Sequence, residues 1–132
     1  MNLTENFTLE ELTRTSQPFE NKPYEYAEDN LKRLCACVLQ PLRTMYGAPI
    51  TVTSGFRSPE VNNAVGGVPL SQHLDGEAAD ITTFARRGNK QLFALIQSLD
   101  LPFDQLIDEQ DYAWIHVSHS AVRNRRQVLH HE

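Results

Sequence analysis

The chain has few of the residues that define a disulfide scaffold, a nucleic-acid surface or a membrane segment. Its 132 residues include two cysteines, Cys35 and Cys37. Their side chains diverge by about 200° on a helix, so we expect no bridge between them. The net charge of −5 argues against nucleic-acid binding, which needs clustered cations to neutralise phosphates. No apolar run approaches the roughly 20 residues of a membrane span.

The length predicts one domain over residues 1–132, with a peripheral N-terminal helix and a peripheral C-terminal tail. The first residues, Met1 to Asn6, combine neither a basic start nor an apolar core, so we expect no secretory signal. One basic cluster lies near the C-terminus and is interpreted as a solvated tail. It consists of Arg123, Arg125 and Arg126.

Hydrophobic periodicity and capping signals predict an alternation of helices and strands. Four helices are expected: two short ones that begin at Thr8 and at Ser58, and two longer ones over about 28–46 and 89–99. The expected strands cover 50–53, 78–82, 103–108 and 114–118. Pro41 is expected to kink the long helix, because it lacks an N–H donor and crowds the carbonyl of Cys37. This order predicts an α+β fold with a small, mainly antiparallel sheet packed by helices.

Three residues in this pattern have the chemistry of a metal site. His73 lies before the strand 78–82, Asp80 lies within it, and His116 lies centrally in the strand 114–118. If the two strands are neighbours, an imidazole and a carboxylate converge at about 2.0–2.2 Å from one ion. Catalytic zinc typically has three such protein ligands and an open fourth position. The two histidines at the chain end, His130 and His131, could bind metal adventitiously.

The motifs around these residues extend the pattern. They are Ser54-Gly55-Phe56-Arg57-Ser58, Ser71-Gln72-His73-x-x-Gly76-x-Ala78-x-Asp80 and Trp114-x-His116-x-Ser118. In this order the chain resembles the zinc D-alanyl-D-alanine carboxypeptidases and related peptidoglycan peptidases, over about residues 31–118. The resemblance implies the fold shared by DD-peptidases, lysostaphin-type peptidases and the hedgehog signalling domain.

The resemblance also implies roles for individual residues. It assigns His73, Asp80 and His116 as ligands of Zn²⁺, and Arg57 as the cation that steadies a substrate carbonyl or terminal carboxylate. Ser71 and Gln72 flank the first histidine, and we expect them to orient it or to contact the substrate.

The chain departs from the family pattern at the general base. Well-known members have an acidic residue three positions before the last histidine, and that position is Ala113 here. Glu109, Asp108 and Asp111 are the nearest acids. Glu109 is our prediction for the base, with Asp111 next, because a cross-strand approach from Glu109 to His116 is feasible.

The three candidate ligands predict a zinc enzyme, and the resemblance implies a metallopeptidase, a carboxypeptidase or endopeptidase, that cuts peptidoglycan stem peptides next to D-alanine. The alternative, which Ala113 supports, is a zinc-containing binding module for wall peptides or a protein partner, without turnover. A wall substrate lies outside the cytoplasm, yet we expect no export signal. A phage or prophage origin with release through another protein would explain this, as would a sequence trimmed at its start. The residues leave the oligomeric state open.

Overall fold

The structure is a computed structural model that describes all residues 1–132. Its helices are α1 Leu9–Thr13, α2 Glu25–Leu34, α3 Gln40–Tyr46, α4 Pro59–Ala64 and α5 Arg86–Ser98, and its strands are β1 Thr51–Ser54, β2 Ala78–Thr82, β3 Gln105–Glu109, β4 Trp114–Ser118 and β5 Gln127–His131. A π-helical turn, Cys35–Leu39, joins α2 to α3, and a 3₁₀ helix, Gln72–Asp75, precedes β2. None of the helices is both long and apolar enough to cross a membrane.

The five strands form one sheet in the order β1-β2-β4-β3-β5. All neighbouring pairs are antiparallel except β3 and β5, which are parallel. The expected α+β class with a small, mainly antiparallel sheet is therefore confirmed. The fifth strand is an addition, because the sequence analysis places no strand after residue 118.

The long helix contains an irregularity immediately before Pro41. In an α-helix the carbonyl of Cys37 would need an N–H donor at position 41, which proline lacks. The chain forms a π-helical turn there, in which the N–H of Gln40 donates to the carbonyl of Cys35. The distortion expected from Pro41 thus takes the form of one wide turn between α2 and α3.

The core lies between the helices and one face of the sheet. Val52, Ile81 and Ile115 on that face belong to a cluster of 22 buried residues. Phe7 and Leu12 belong to the same cluster, so the N-terminal segment packs into the core and is not peripheral. The two cysteines are free, with Cys35 buried and Cys37 half-buried, as expected from their spacing.

The opposite face of the sheet forms the floor of an open cleft of about 740 Å³. Strand register decides which side chains lie there, because paired residues share a face and successive residues alternate. Asp80 pairs with His116, which also pairs with Ile107. Two positions further along β3, Glu109 pairs with Trp114 and with His131. Polar side chains are thus collected on one face, while the other face is mostly apolar.

Candidate metal centre

Backbone geometry brings the three predicted ligands to one point. Asp80 and His116 are register partners at the middle of adjacent central strands. His73 reaches them from the 3₁₀ helix, which ends at Gly76 in the left-handed conformation (φ 71°). A Cβ at Gly76 would lie 2.3 Å from the carbonyl oxygen of Ala27. The turn that carries His73 therefore requires glycine, because it packs directly against the backbone of α2.

The ligand atoms of these three side chains all lie within 4.8 Å of one another. Oδ1 of Asp80 is 3.3 Å from Nε2 of His73 and 3.2 Å from Nδ1 of His116. The three side chains are 3%, 11% and 13% exposed for His73, Asp80 and His116, respectively. One atom from each residue thus faces a common, largely buried point.

Two of the candidate ligands, His73 and Asp80, are oriented by hydrogen bonds at the atoms that face away from the common point. Nδ1 of His73 donates to the carbonyl of Gly55 at 2.7 Å, which leaves Nε2 facing Asp80. Oδ2 of Asp80 accepts from Nη2 of Arg57 at 3.2 Å, which leaves Oδ1 facing the two imidazoles. A Cβ at Gly55 would lie 2.3 Å from the carbonyl oxygen of Leu12, so this support also depends on a glycine.

Arg57 is itself fixed at each of its three nitrogens. Besides Asp80, its guanidinium donates from Nε to Oγ of Ser54 at 3.0 Å and from Nη1 to Oδ1 of Asn62 at 3.3 Å. Its side chain is 15% exposed and lines the cleft. The structure therefore places Arg57 behind Asp80, a contact that the sequence did not indicate. Ser54 and Asn62 were also missed, although Ser54 lies inside the quoted motif.

Burial and the two imidazoles act in opposite directions on the pKa of Asp80. Burial by itself raises the pKa of this carboxyl, but the charges and hydrogen bonds of His73 and His116 outweigh it. The pKa of Asp80 therefore lies well below its usual range. The carboxylate is consequently ionised at neutral pH, which is the form that a metal ion requires of it.

Ser71 and Gln72 line the cleft beside His73. Oγ of Ser71 accepts from the backbone N–H of His73 at 3.2 Å, so this side chain holds the start of the 3₁₀ helix and does not touch the imidazole. Nε2 of Gln72 donates to Oδ2 of Asp104 at 3.1 Å. Its Oε1 is buried and has no hydrogen-bond partner in the protein.

Of the three nearby acids, only Glu109 faces the cleft. It is one register step from His116 on the same face, where such diagonal neighbours in antiparallel strands lie about 7–8 Å apart. Asp108 points to the opposite face, where its carboxylate contacts His130. Asp111 lies in the exposed turn after β3, and its Oδ2 is 3.6 Å from Nε of Arg86.

The C-terminal segment completes one wall of the cleft. Nε and Nη2 of Arg125 donate to Oδ1 and Oδ2 of the buried Asp104 at 2.8 and 3.0 Å. These hydrogen bonds hold the pKa of Asp104 below its usual range. The expectation of a solvated tail is therefore wrong for Arg125. Beyond it, Leu129 and His131 of β5 line the cleft as well.

The structure thus places a buried His-Asp-His group that could hold a single metal ion on one face of a mainly antiparallel α+β sheet, with an acid on the same face. The sequence matches the Peptidase M15 family over residues 5–118, and the chain belongs to this family. The family relationship that the motifs suggested is thereby confirmed.

A named relative shares part of this region. Over 78 residues the chain is 38% identical to the zinc D-Ala-D-Ala carboxypeptidase of Streptomyces albus G. The matched segment covers 58% of this chain and 31% of that protein, so the similarity spans about a third of the relative's length. Residues 119–132 lie beyond the family match.

Proposed function

We propose that the protein is a zinc metallopeptidase that hydrolyses peptidoglycan stem peptides next to D-alanine, acting at the cell wall. The observation that carries this proposal is the convergence of one ligand atom each from His73, Asp80 and His116 within 4.8 Å. Membership of the Peptidase M15 family and the printed activity of the Streptomyces relative support the reaction and the substrate.

The donor set suits Zn²⁺. Two imidazole nitrogens and one carboxylate oxygen are ligands that this ion accepts, and three protein ligands leave one position open. The nitrogen of His73 and the oxygen of Asp80 that face away from the site are both hydrogen-bonded, as expected of residues that orient a metal ligand. Bound zinc would supply a Lewis acid that activates water at neutral pH and polarises the scissile carbonyl.

Arg57 serves both the metal ligand and the substrate in this proposal. Its guanidinium has five N–H donors, and three of them are used by Ser54, Asn62 and Asp80. The remaining N–H groups are available to a substrate carbonyl or terminal carboxylate in the cleft. Arg57 would thereby stabilise the charge that develops on the carbonyl oxygen.

Glu109 acts as the general base. It accepts a proton from the attacking water and passes it to the leaving amine of the substrate. Its side chain is 20% exposed, and it is the one nearby acid on the cleft face. An acid in β3 would thus replace the one that well-known family members carry where this chain has Ala113.

Ser71 and Gln72 form the wall of the cleft next to His73 and contact the substrate in this proposal. The buried, unpartnered Oε1 of Gln72 is a free acceptor. This oxygen has almost no solvent-accessible surface, so a peptide N–H of the substrate would reach it only after the Gln72 side chain rotates toward the cleft.

The non-catalytic alternative, a zinc-containing binding module, is not favoured. The Streptomyces relative is named for a carboxypeptidase activity, and Glu109 occupies the cleft despite Ala113. The two functions differ in whether a bound peptide is cleaved, so turnover separates them.

The test is incubation of the zinc-loaded protein with a peptide ending in D-Ala-D-Ala and with purified peptidoglycan, followed by mass spectrometry of released products. We expect release by the wild type and by the control Asp111→Asn. Glu109→Gln should lower the rate by about a hundredfold or more, which is the usual contribution of a general base. Peptide binding without release by the wild type would support the binding module instead.

A further inference from the structure

The C-terminal strand, β5, brings a histidine to the candidate base. It runs parallel to β3 in a register that places His131 beside Glu109. The backbone N–H of Gln110 donates to the carbonyl of His131 at 2.7 Å and fixes the end of the strand at this level. The strand lies outside the family match, which ends at residue 118. This part of the cleft is therefore a feature of this chain beyond the matched family region.

The two terminal histidines have opposite orientations, because successive residues of a strand alternate between faces. His131 points into the cleft together with Leu129. His130 points to the other face, where it contacts the carboxylate of Asp108 and its ring centroid lies 5.6 Å from that of Phe93. His130, outside the cleft, is therefore a suitable control for substitutions of His131 inside it.

The contact between His131 and Glu109 engages only half of the carboxylate. Nδ1 of His131 lies 2.8 Å from Oε1 of Glu109, while no protein group donates to Oε2. A glutamate side chain is flexible and loses considerable rotamer freedom when it is ordered. A hydrogen bond that anchors Oε1 reduces this loss during the reaction and keeps Oε2 available to accept a proton.

We propose that His131 is a positioning residue, which donates its Nδ1–H to Oε1 of Glu109 and holds the carboxylate in place for proton transfer. This inference rests on the proposed function, in which Glu109 is the general base. His131 acts through Glu109 and does not itself touch the reacting atoms.

The kinetic test compares substitutions at the two histidines in the zinc-loaded protein with a D-Ala-D-Ala peptide. His131→Ala should lower kcat by about ten- to a hundredfold, the scale expected when a catalytic group is misplaced, with KM changed less than about twofold. His131→Asn, whose amide can donate from a similar position, should recover most of kcat. The control His130→Asn should leave kcat unchanged.

A second readout does not depend on activity. In ¹⁵N-labelled, metal-free protein at about pH 8.5, where a histidine of ordinary pKa is neutral, imidazole ¹⁵N shifts identify the tautomer. We expect His131 to carry its proton on Nδ1, and Glu109→Ala, which removes the acceptor, to abolish this preference. A proton on Nε2 of His131 in the wild type would overturn the proposal.

The outcomes separate this inference from the function on which it rests. If Glu109→Gln is inactive while His131→Ala keeps full kcat, the positioning role is wrong and the base assignment stands. If Glu109→Gln keeps full activity, the base assignment is wrong, and the positioning role falls with it whatever the tautomer of His131.

Discussion

The two halves of the cleft are built differently. The metal half, His73, Asp80 and His116, is at most 13% exposed and lies on central strands and on a turn packed against the core. The acid half, Glu109 and His131, is 20% and 56% exposed and lies where β3 meets the edge strand β5. The metal half lies within the matched family region, whereas β5 does not. The comparison indicates that the core fixes the positions of the three candidate metal ligands, whereas the position of the proposed base, Glu109, depends on an edge strand.

The largest effect should follow from removing a ligand in the metal half. His116→Ala leaves two protein ligands, so we expect the zinc-dependent stabilisation to disappear. In the wild type, free zinc at a thousandfold excess over Kd raises the free energy of unfolding by about 4 kcal/mol. Calorimetric melting with and without zinc measures the difference.

The control for this variant is His119→Asn. Nδ1 of His119 contacts the carbonyl of Pro102 at 2.7 Å, and His119 lies outside the ligand group. This variant should keep the full stabilisation by zinc. Equal stabilisation of His116→Ala and the wild type would show that the metal half does not bind the ion.

A smaller loss of zinc binding should follow from weakening the hydrogen bond between Arg57 and Asp80. Arg57→Lys keeps the charge but cannot reproduce the three bonds to Ser54, Asn62 and Asp80. We expect zinc affinity to fall about ten- to a hundredfold, the usual range for groups that orient metal ligands. Competition with a chelator measures it. The exposed Arg86→Lys is the control, and equal affinities in both variants would argue against a supporting role for Arg57.

The wall formed by the C-terminal segment should matter for stability. Arg125→Ala removes two hydrogen bonds from the carboxylate of the buried Asp104, so we expect a lower free energy of unfolding at pH 7. The pKa of Asp104 is lower in the folded protein than in the unfolded chain. The stabilisation by the Asp104–Arg125 pair is therefore present above about pH 4 and is lost as the pH falls through the pKa of Asp104 in the folded protein.

Urea unfolding of the wild type and of Arg125→Ala at pH 7 and at about pH 3 tests this prediction. The stability gap between the two proteins should shrink at the lower pH. A gap that stays constant or widens would show that the Asp104–Arg125 pair is not its cause.

The smallest effect on zinc affinity is expected from substitutions at two adjacent glycines, Gly66 and Gly67, which should behave differently. A Cβ at Gly67 would lie 2.0 Å from Oδ1 of Asn62, the partner of Arg57, whereas a Cβ at Gly66 meets nothing within 4 Å. Gly67→Ala should lower zinc affinity less than about tenfold by displacing Asn62. Gly66→Ala should cost about 1 kcal/mol of stability because its φ is 74°, with no change in zinc affinity. Equal zinc affinities in the two variants would contradict the inference that Asn62 supports the metal site through Arg57 and Asp80.

The metal half could be predicted from the sequence because its determinants are local. A period-two pattern predicts the strand around His116, and the run 78–82 is interpreted as the strand around Asp80; each residue lies at the middle of its strand. Once those strands are neighbours, their side chains meet without further information. The contacts of Arg57 with Ser54 and Asn62 depend on the turn geometry of three separate segments, so no spacing in the sequence reveals them.

The acid half could be predicted only in part. Glu109 could be predicted to lie near His116 because it ends β3 in the hairpin, and the structure places it on the cleft face. The strand β5 was missed because it is mostly exposed and pairs in parallel with β3, which ends 18 residues before β5 begins. Its pairing is decided by long-range contacts, among them the ion pair of Arg125 with Asp104, which a basic cluster in the sequence does not indicate.

The central claim is that His73, Asp80 and His116 hold one metal ion together. Anomalous diffraction from a crystal of the zinc-loaded protein, recorded at the zinc absorption edge, tests it most directly. We expect one peak about 2.0–2.2 Å from Nε2 of His73, Oδ1 of Asp80 and Nδ1 of His116. No peak between these three atoms, or zinc bound only at His130 and His131, would contradict the account.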